Sequence, residues 1–468
     1  MKEHNYNWNY LAAISLVSAL GGLLFGYDYV VIGGAKPFYE PYFGISGSAF
    51  WQGWTMSCAL VGCLGGAVLS GWLSDKFGRK RLLILSAAMF IVASLGTGSA
   101  GSLTAFIWFR MFGGAAIGLA SNLSPMYIAE VTPAKVRGRF VSLNQLTIVI
   151  GILAAQLINW RIAKPVPVSS TLSDILNSWN GQTGWRYMFY ACAVPASLFF
   201  ILIWLVPESP RWLAKNDKKR LIAHSILKRI GGSDYADIEM SSINETLESS
   251  GKNQDFKELL KPGISGILVI GIVIAVFQQW CGINVIFNYA QEIFANAGYS
   301  VSDTLFNIVI TGSVNLIFTF VGMFLVDKLG RKGLMLFGSA GLALIFAITG
   351  SMYFFHIQGL PLLILVVTAI ACYSMTLAPV TWVVLSEIFP NRIRGLAMSV
   401  ATFALWAACF VLTYTFPLLN QMLKASGTFW IYGLICIFGF WFILKKLPET
   451  RGKTLEELEH ELIKKQVI

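Results

Sequence analysis

Twelve long apolar stretches decide what this chain can fold into. They run over 10–34, 51–73, 82–100, 103–128, 140–160, 186–206, 263–290, 304–326, 333–355, 358–386, 395–416 and 427–446. A bilayer core about 30 Å thick is crossed by roughly 20 apolar residues in a helix, so each stretch reads as one crossing. Of the 468 residues 56% are hydrophobic and 13% charged. A single soluble core stops growing near ~250–300 residues and could not hide that much apolar surface. Continuous runs, unlike ~10-residue alternations, argue for helices over a barrel. The expected class is an all-α membrane protein with twelve transmembrane helices.

The chain also repeats itself. The loop Asp75-Lys76-Phe77-Gly78-Arg79-Lys80 returns as Asp327-Lys328-Leu329-Gly330-Arg331-Lys332, an offset of 252 residues (75 to 327). Glu130…Arg137-Gly138 answers Glu387…Arg394-Gly395, and Pro207-Glu208-Ser209 answers Pro448-Glu449-Thr450, in the same order. The reading is two parallel six-helix pseudo-repeats. Residues 1–206 form the first bundle, 207–262 a cytoplasmic helical linker, 263–446 the second bundle and 447–468 a tail. Within the linker, 216–230 and 235–250 are expected as short amphipathic helices flanking the breaker Gly231-Gly232, and Leu455–Glu459 as part of a surface helix.

Basic residues orient the spans. One side carries Lys36, Arg161, Lys164 and Lys424. The short loops of the other carry Lys76, Arg79, Lys80, Arg81, Lys135, Arg137, Arg139, Lys328, Arg331, Lys332, Arg392 and Arg394. The positive-inside rule then puts both termini and the linker in the cytoplasm. The net charge of +11 reads as topology and contact with anionic lipid, with no basic domain that would suit a nucleic acid. The first apolar stretch is too long for a signal peptide and lacks an Ala-x-Ala cleavage pattern. All seven cysteines fall inside apolar spans, which argues against a disulfide framework, and neither a metal nor a cofactor is expected.

Six-plus-six parallel repeats with a cytoplasmic linker describe the major facilitator architecture. The strings Gly21-Gly22-Leu23-Leu24-Phe25-Gly26-Tyr27-Asp28, Pro207-Glu208-Ser209-Pro210-Arg211-Trp212-Leu213, Gln278-Gln279-x-x-Gly282-Ile283-Asn284 and Pro448-Glu449-Thr450-x-Gly452 resemble the sugar porter family over nearly the whole chain. The likeness is to bacterial pentose/hexose–proton symporters, with facilitative glucose transporters as cousins. It implies a secondary transporter that imports a monosaccharide with a proton by alternating access, with substrate held near mid-membrane. The implied partners are the sugar, the proton and membrane lipid; the chain is expected to act as a monomer in a bacterial inner (plasma) membrane.

Two formally charged side chains lie within the apolar interiors, Asp28 and Arg110. At 1.5 Å per residue they come to roughly 9 Å and 10 Å below the same surface, close enough to meet. Two readings are open: a static pair holding spans one and four together, or a proton site. In the second, Arg110 lowers the pKa of a desolvated carboxylate, and moving Arg110 away lets Asp28 take a proton. The resemblance favours the second, because passive carriers tend to have Asn at this place.

A sugar needs neutral donors and acceptors and aromatic planes. The seventh span offers Gln278, Gln279, Asn284 and Asn288. On a regular helix Gln278 and Asn284 would point about 120° apart, so Gly282 between them is a candidate break of the kind that marks transporter sites. The resemblance adds Gln145 on the fifth span, Asn315 on the eighth, Trp382 on the tenth and Trp406 on the eleventh as sugar-contacting residues. Departures leave the sugar open. Asn288 stands where Tyr is frequent, Leu377-Ala378 where Trp-Gly is usual, Leu405 where an amide is common, and Ile152 resembles the glucose carriers.

At the cytoplasmic ends, Asp75, Arg79, Glu130, Arg137 and Glu208 have counterparts in Asp327, Arg331, Glu387, Arg394 and Glu449. Such charges can simply set topology, or they can form a latch that closes in the outward-facing state. An enzyme is not expected: none of the four histidines lies in a span, and no nucleophile, metal-spaced or phosphate-loop motif appears. Passive uniport and a non-transporting sugar sensor are the alternatives, the second disfavoured by a short tail.

Overall fold

The computed structural model describes residues 6–133, 136–167, 170–249, 259–261, 264–296, 298–357, 359–389 and 393–451, with the side chains of 246–249, Asn296, Asp327, Arg394 and Gly395 not described. Its elements are α1 (Trp8–Phe43), α2 (Ala49–Phe77), α3 (Arg79–Ser99), α4 (Leu103–Val131), α5 (Arg137–Ile162), α6 (Leu172–Asn177), α7 (Trp185–Leu202), α8 (Pro210–Ala214) and α9 (Arg220–Ser249). There follow α10 (Ile264–Trp280), α11 (Ile283–Asn288), α12 (Ala290–Asn296), α13 (Val301–Leu329), α14 (Arg331–Phe354), α15 (Leu360–Met375), α16 (Leu377–Ile388) and α17 (Arg394–Lys446). Among the described residues no strand occurs.

Eleven helical segments are long and apolar enough to cross a membrane. The last holds two crossings: α17 has 53 residues, and at Lys424 the backbone leaves the helix (φ 58°, ψ 174°). The protein is therefore a multi-pass membrane protein with the twelve spans read from the sequence. Within the linker, α9 is interrupted at Gly232 (φ 85°, ψ 178°), where the Gly-Gly breaker was expected. The tail helix lies outside the described residues.

Two things differ from the sequence reading. The short helices α6 and α12 occupy segments read as loop. More consequentially, α1 does not stop at residue 34: it runs to Phe43 through Pro37 and Pro41 and carries Lys36 and Glu40 into buried positions. Formal charge in the helical interiors is thus not confined to Asp28 and Arg110.

By its contacts the chain divides into two compact units. One comprises Met1–Asp28, Val61–Gly151 and Phe189–Asn253; the other Tyr29–Leu60, Ile152–Met188 and Gln254–Ile468. In the first, helices cross on glycine. A Cβ at Gly26 would strike the Ile148 carbonyl, one at Gly151 the Leu23 carbonyl, and one at Gly62 the Met111 carbonyl. Small residues allow this closeness where lipid offers no hydrophobic drive between helices. In the second unit the ends of α1, α2 and α5 distant from the basic loops pack with the later helices. Gly33 faces the Asn288 carbonyl, Gly53 the Tyr414 carbonyl, and Gly312 the Gln156 amide.

Candidate functional site

Asp28 and Arg110 meet. Arg110 Nη1 donates to Asp28 Oδ1 at 2.7 Å, with Asp28 7% and Arg110 3% exposed. The guanidinium also lies 5.7 Å from the centroid of the Phe189 ring. Asp28 Oδ2 is buried and has no hydrogen-bond partner among the described residues.

The amides of the seventh span form a chain. Gly282 takes a left-handed conformation (φ 88°, ψ −11°) that ends α10 and starts α11. That break reverses the geometry of a regular helix: Asn284 Nδ2 reaches Gln279 Oε1, Gln279 Nε2 donates to Gln278 Oε1 at 2.5 Å, and Gln278 Nε2 donates to the Tyr373 hydroxyl at 2.6 Å. Three buried amides and a phenol thus make one linked set of donors and acceptors. Sequence reasoning missed Tyr373. It closes α15 one turn before the chain breaks at Thr376 (φ −121°, ψ −87°), a break that no glycine announces.

The remaining sugar candidates separate. Asn315 Oδ1 accepts from Ser374 Oγ at 2.6 Å, again next to the Thr376 break. Asn288 Nδ2 donates to the Tyr29 hydroxyl at 3.0 Å, which lies 3.7 Å from Cys409 Sγ. Trp406 is buried, Gln145 half-buried, and Trp382 exposed at 38%.

The repeated charged motifs fold into two copies of one network. In the first unit Arg79 Nη2 donates to Glu130 Oε1 (2.8 Å), Ser209 Oγ donates to Glu130 Oε2, and Glu208 Oε1 accepts from the backbone N–H of Arg79 (3.0 Å) and Lys80 (3.1 Å). In the second, Arg331 Nη2 donates to Glu387 Oε1 (3.0 Å), Thr450 Oγ1 donates to Glu387 Oε2 (2.6 Å), and Glu449 accepts from the N–H of Arg331 (2.9 Å) and Lys332 (3.1 Å). Each glutamate caps from afar a helix, α3 or α14, whose own cap residue is glycine and has no side chain to offer. Gly78 and Gly330 have φ of 90° and 80°, and a Cβ on either would run into the capping carboxylate. Glycine is therefore favoured at both places by conformation, and a side chain there would displace the capping carboxylate. Asp75 pairs with Lys215 at 2.8 Å, and Arg137 interacts with Arg211 and Glu239. The side chains of Asp327 and Arg394 lie outside those described.

Glu449 shows what the cap does. Burial pushes its carboxyl up, but backbone N–H bonds from Arg451, Arg331, Lys332 and Thr450 outweigh this and hold it below its ordinary 4.5. A depressed carboxyl stabilises the fold above its unfolded pKa, and that contribution is lost as pH falls through the folded value. Glu449→Gln is expected to lower stability at pH 7 by ~1 kcal/mol, as loss of a helix cap does. The gap between variant and parent should close on acidification below pH 4.5; thermal unfolding in detergent across pH checks this.

The comparisons with known proteins agree with this architecture. The family model for sugar (and other) transporters matches residues 14–462. A D-xylose-proton symporter of Escherichia coli (strain K12) is 38% identical, covering 97% of this chain and 96% of its own. An arabinose-proton symporter of Bacillus subtilis (strain 168) is 36% identical over 98% of this chain and 97% of its own. Among solved structures, the xylose transporter XylE from E. coli, in a partially occluded inward-open conformation, superposes with a TM-score of 0.83 at 35% identity, covering 95% of this chain and all of that one. With twelve spans, two copies of one charged network and a family match of this extent, the chain belongs to the sugar (and other) transporter family.

Proposed function

We propose that the protein imports a monosaccharide together with a proton by alternating access. The observation that carries this reading is the buried Asp28–Arg110 pair with its one unpartnered carboxylate oxygen. Arg110 stabilises the ionised carboxylate; when the pair separates, a desolvated Asp28 takes up a proton, so protonation and conformation are linked. The amide chain Gln278–Gln279–Asn284 with Tyr373 supplies neutral donors and acceptors for sugar hydroxyls, and Gln145, Asn288, Asn315, Trp382 and Trp406 are proposed to contribute further contacts. The two relatives named above carry D-xylose or arabinose with protons, which supports a pentose or hexose as cargo.

In this reading 1–206 and 263–446 are the two moving bundles, 207–262 links them, and 447–468 is a tail. The basic loops and both termini face the cytoplasm of a bacterium, and one chain works alone within the lipid. Counterflow in proteoliposomes with a panel of monosaccharides, repeated with and without an inward proton gradient, tests it. Counterflow without gradient-driven accumulation would make the protein a uniporter, and sugar binding without counterflow would make it a sensor.

The two charged networks brace their own bundles and are proposed to latch at the cytoplasmic side in the outward-facing state. Glu130→Ala combined with Arg137→Ala should shift the population inward by about fivefold, the effect of roughly 1 kcal/mol, and reduce uptake. Spin-label distances at the cytoplasmic ends measure the shift. Unchanged distances with normal uptake would leave these residues as topology signals.

A further inference from the structure

Lys36 is a formally basic side chain, 1% exposed, on a helix that the sequence reading ended before it. A buried ammonium must be paired, and this one has two carboxylates of different attachment. Glu40 is on α1 itself, one turn on, with Oε1 3.3 Å from Nζ. Glu292 is on α12, and Lys36 Nζ donates to its Oε1. The same ammonium lies 4.9 Å from the centroid of the Tyr289 ring, and Gln52 Nε2 of α2 donates to Glu40 Oε2 at 3.3 Å. All of these groups lie within one compact unit, at the end of α1 distant from the basic loops.

The attachments decide how this cluster behaves when α1 and α12 part. Glu40 moves with Lys36, because both ride on one helix at i and i+4. Glu292 rides on a seven-residue helix, reached from α10 through the nine residues 281–289, which hold the left-handed Gly282 and the six-residue α11. Short pieces joined at a break can turn without bending a long helix. Separation would then remove Glu292 and leave Glu40, so the buried cation exchanges two partners for one and is never orphaned.

We infer that Lys36, Glu40 and Glu292 form a two-partner ionic latch at the outer mouth: closed with Lys36 held by both carboxylates, open with Lys36 held by Glu40 alone. The role as a mouth rests on the alternating-access reading; the two-state contact itself does not. Glu292 holds the latch shut, while Glu40 makes opening tolerable. Removing either carboxylate therefore has opposite consequences, although both touch the same nitrogen. A cluster that only stabilised the fold would loosen in the same direction on either substitution.

The test places thiol spin labels at Gly47 and Ala295, both exposed, with open space around Gly47. The seven native cysteines are buried, which directs labelling to the introduced sites. Distances are read by pulsed electron resonance on the full chain in nanodiscs. Glu292→Gln should raise the long-to-short distance ratio at least about fivefold, and Glu40→Gln should lower it. Shifts in the same direction, or none, overturn the latch. If Glu40→Gln fails to fold, Lys36→Met decides. It leaves two carboxylates facing one another and should lengthen the distance as Glu292→Gln does; an unchanged distance overturns the proposal. Because the readout needs no transport, wild-type protein without counterflow but with the opposed shifts would refute the transport reading and keep the latch.

Discussion

Replacing Asp28 by Asn is expected to abolish accumulation of sugar against its gradient while leaving sugar exchange largely intact. Asn keeps the shape of the carboxyl, and its amide oxygen can still accept from Arg110 Nη1, which in the parent donates to Asp28 Oδ1 at 2.7 Å. The fold should therefore survive. What disappears is the carboxyl proposed to carry the proton. An uncharged Asn resembles the protonated carboxyl at every pH, so nothing binds or releases a proton as the bundles move, and the gradient has no handle on the cycle. Gradient-driven uptake should fall to the level set by equilibration, whereas counterflow, which needs only a sugar site that alternates, should persist within a fewfold. Parallel assays of both in proteoliposomes check this. Accumulation by the variant would show that the proton is carried elsewhere.

The fold was legible because a bilayer imposes one simple rule, and every span meets it with a long, predominantly apolar stretch. The break in the seventh span was legible too, because Gly282 stands among amides that a regular helix would point apart. The break at Thr376 was not, since no glycine lies between Leu360 and Ile388 and only Pro379 stands just downstream. The end of α1 was misread for a physical reason. Lys36 and Glu40, with Pro37 and Pro41 beside them, look like loop residues to any rule that penalises charge in an apolar environment. Mutual pairing and Glu292 cancel the penalty, and Glu292 is far away in sequence. The motif Pro-Glu-Ser/Thr identified Glu208 and Glu449 as paired elements but not as remote helix caps, because their partners are backbone N–H groups, which leave no mark on a sequence.

Gln279 is where the amide chain is most exposed to loss. It is the middle link: its Oε1 accepts from Asn284 Nδ2 and its Nε2 donates to Gln278 Oε1. Truncation to alanine removes a donor and an acceptor from the set proposed to meet sugar hydroxyls, and it also frees two neighbouring amides to rotate. A buried hydroxyl left without a partner costs roughly 1–3 kcal/mol. Gln279→Ala is therefore expected to weaken sugar binding by about 5-fold to 160-fold, since 1.36 kcal/mol is a factor of ten. Proton-linked behaviour should be preserved, because Asp28 and Arg110 are untouched. Gln279→Glu separates geometry from chemistry. It keeps the acceptor and the volume but replaces the donor to Gln278 with a charge, so its affinity should also fall. Calorimetry on purified protein, with the sugar found in the counterflow panel, reads both variants. Unchanged affinity in Gln279→Ala would move the sugar site off the seventh span and leave the amide chain as a brace across the Gly282 break, in which case the loss should appear as a lowered unfolding temperature.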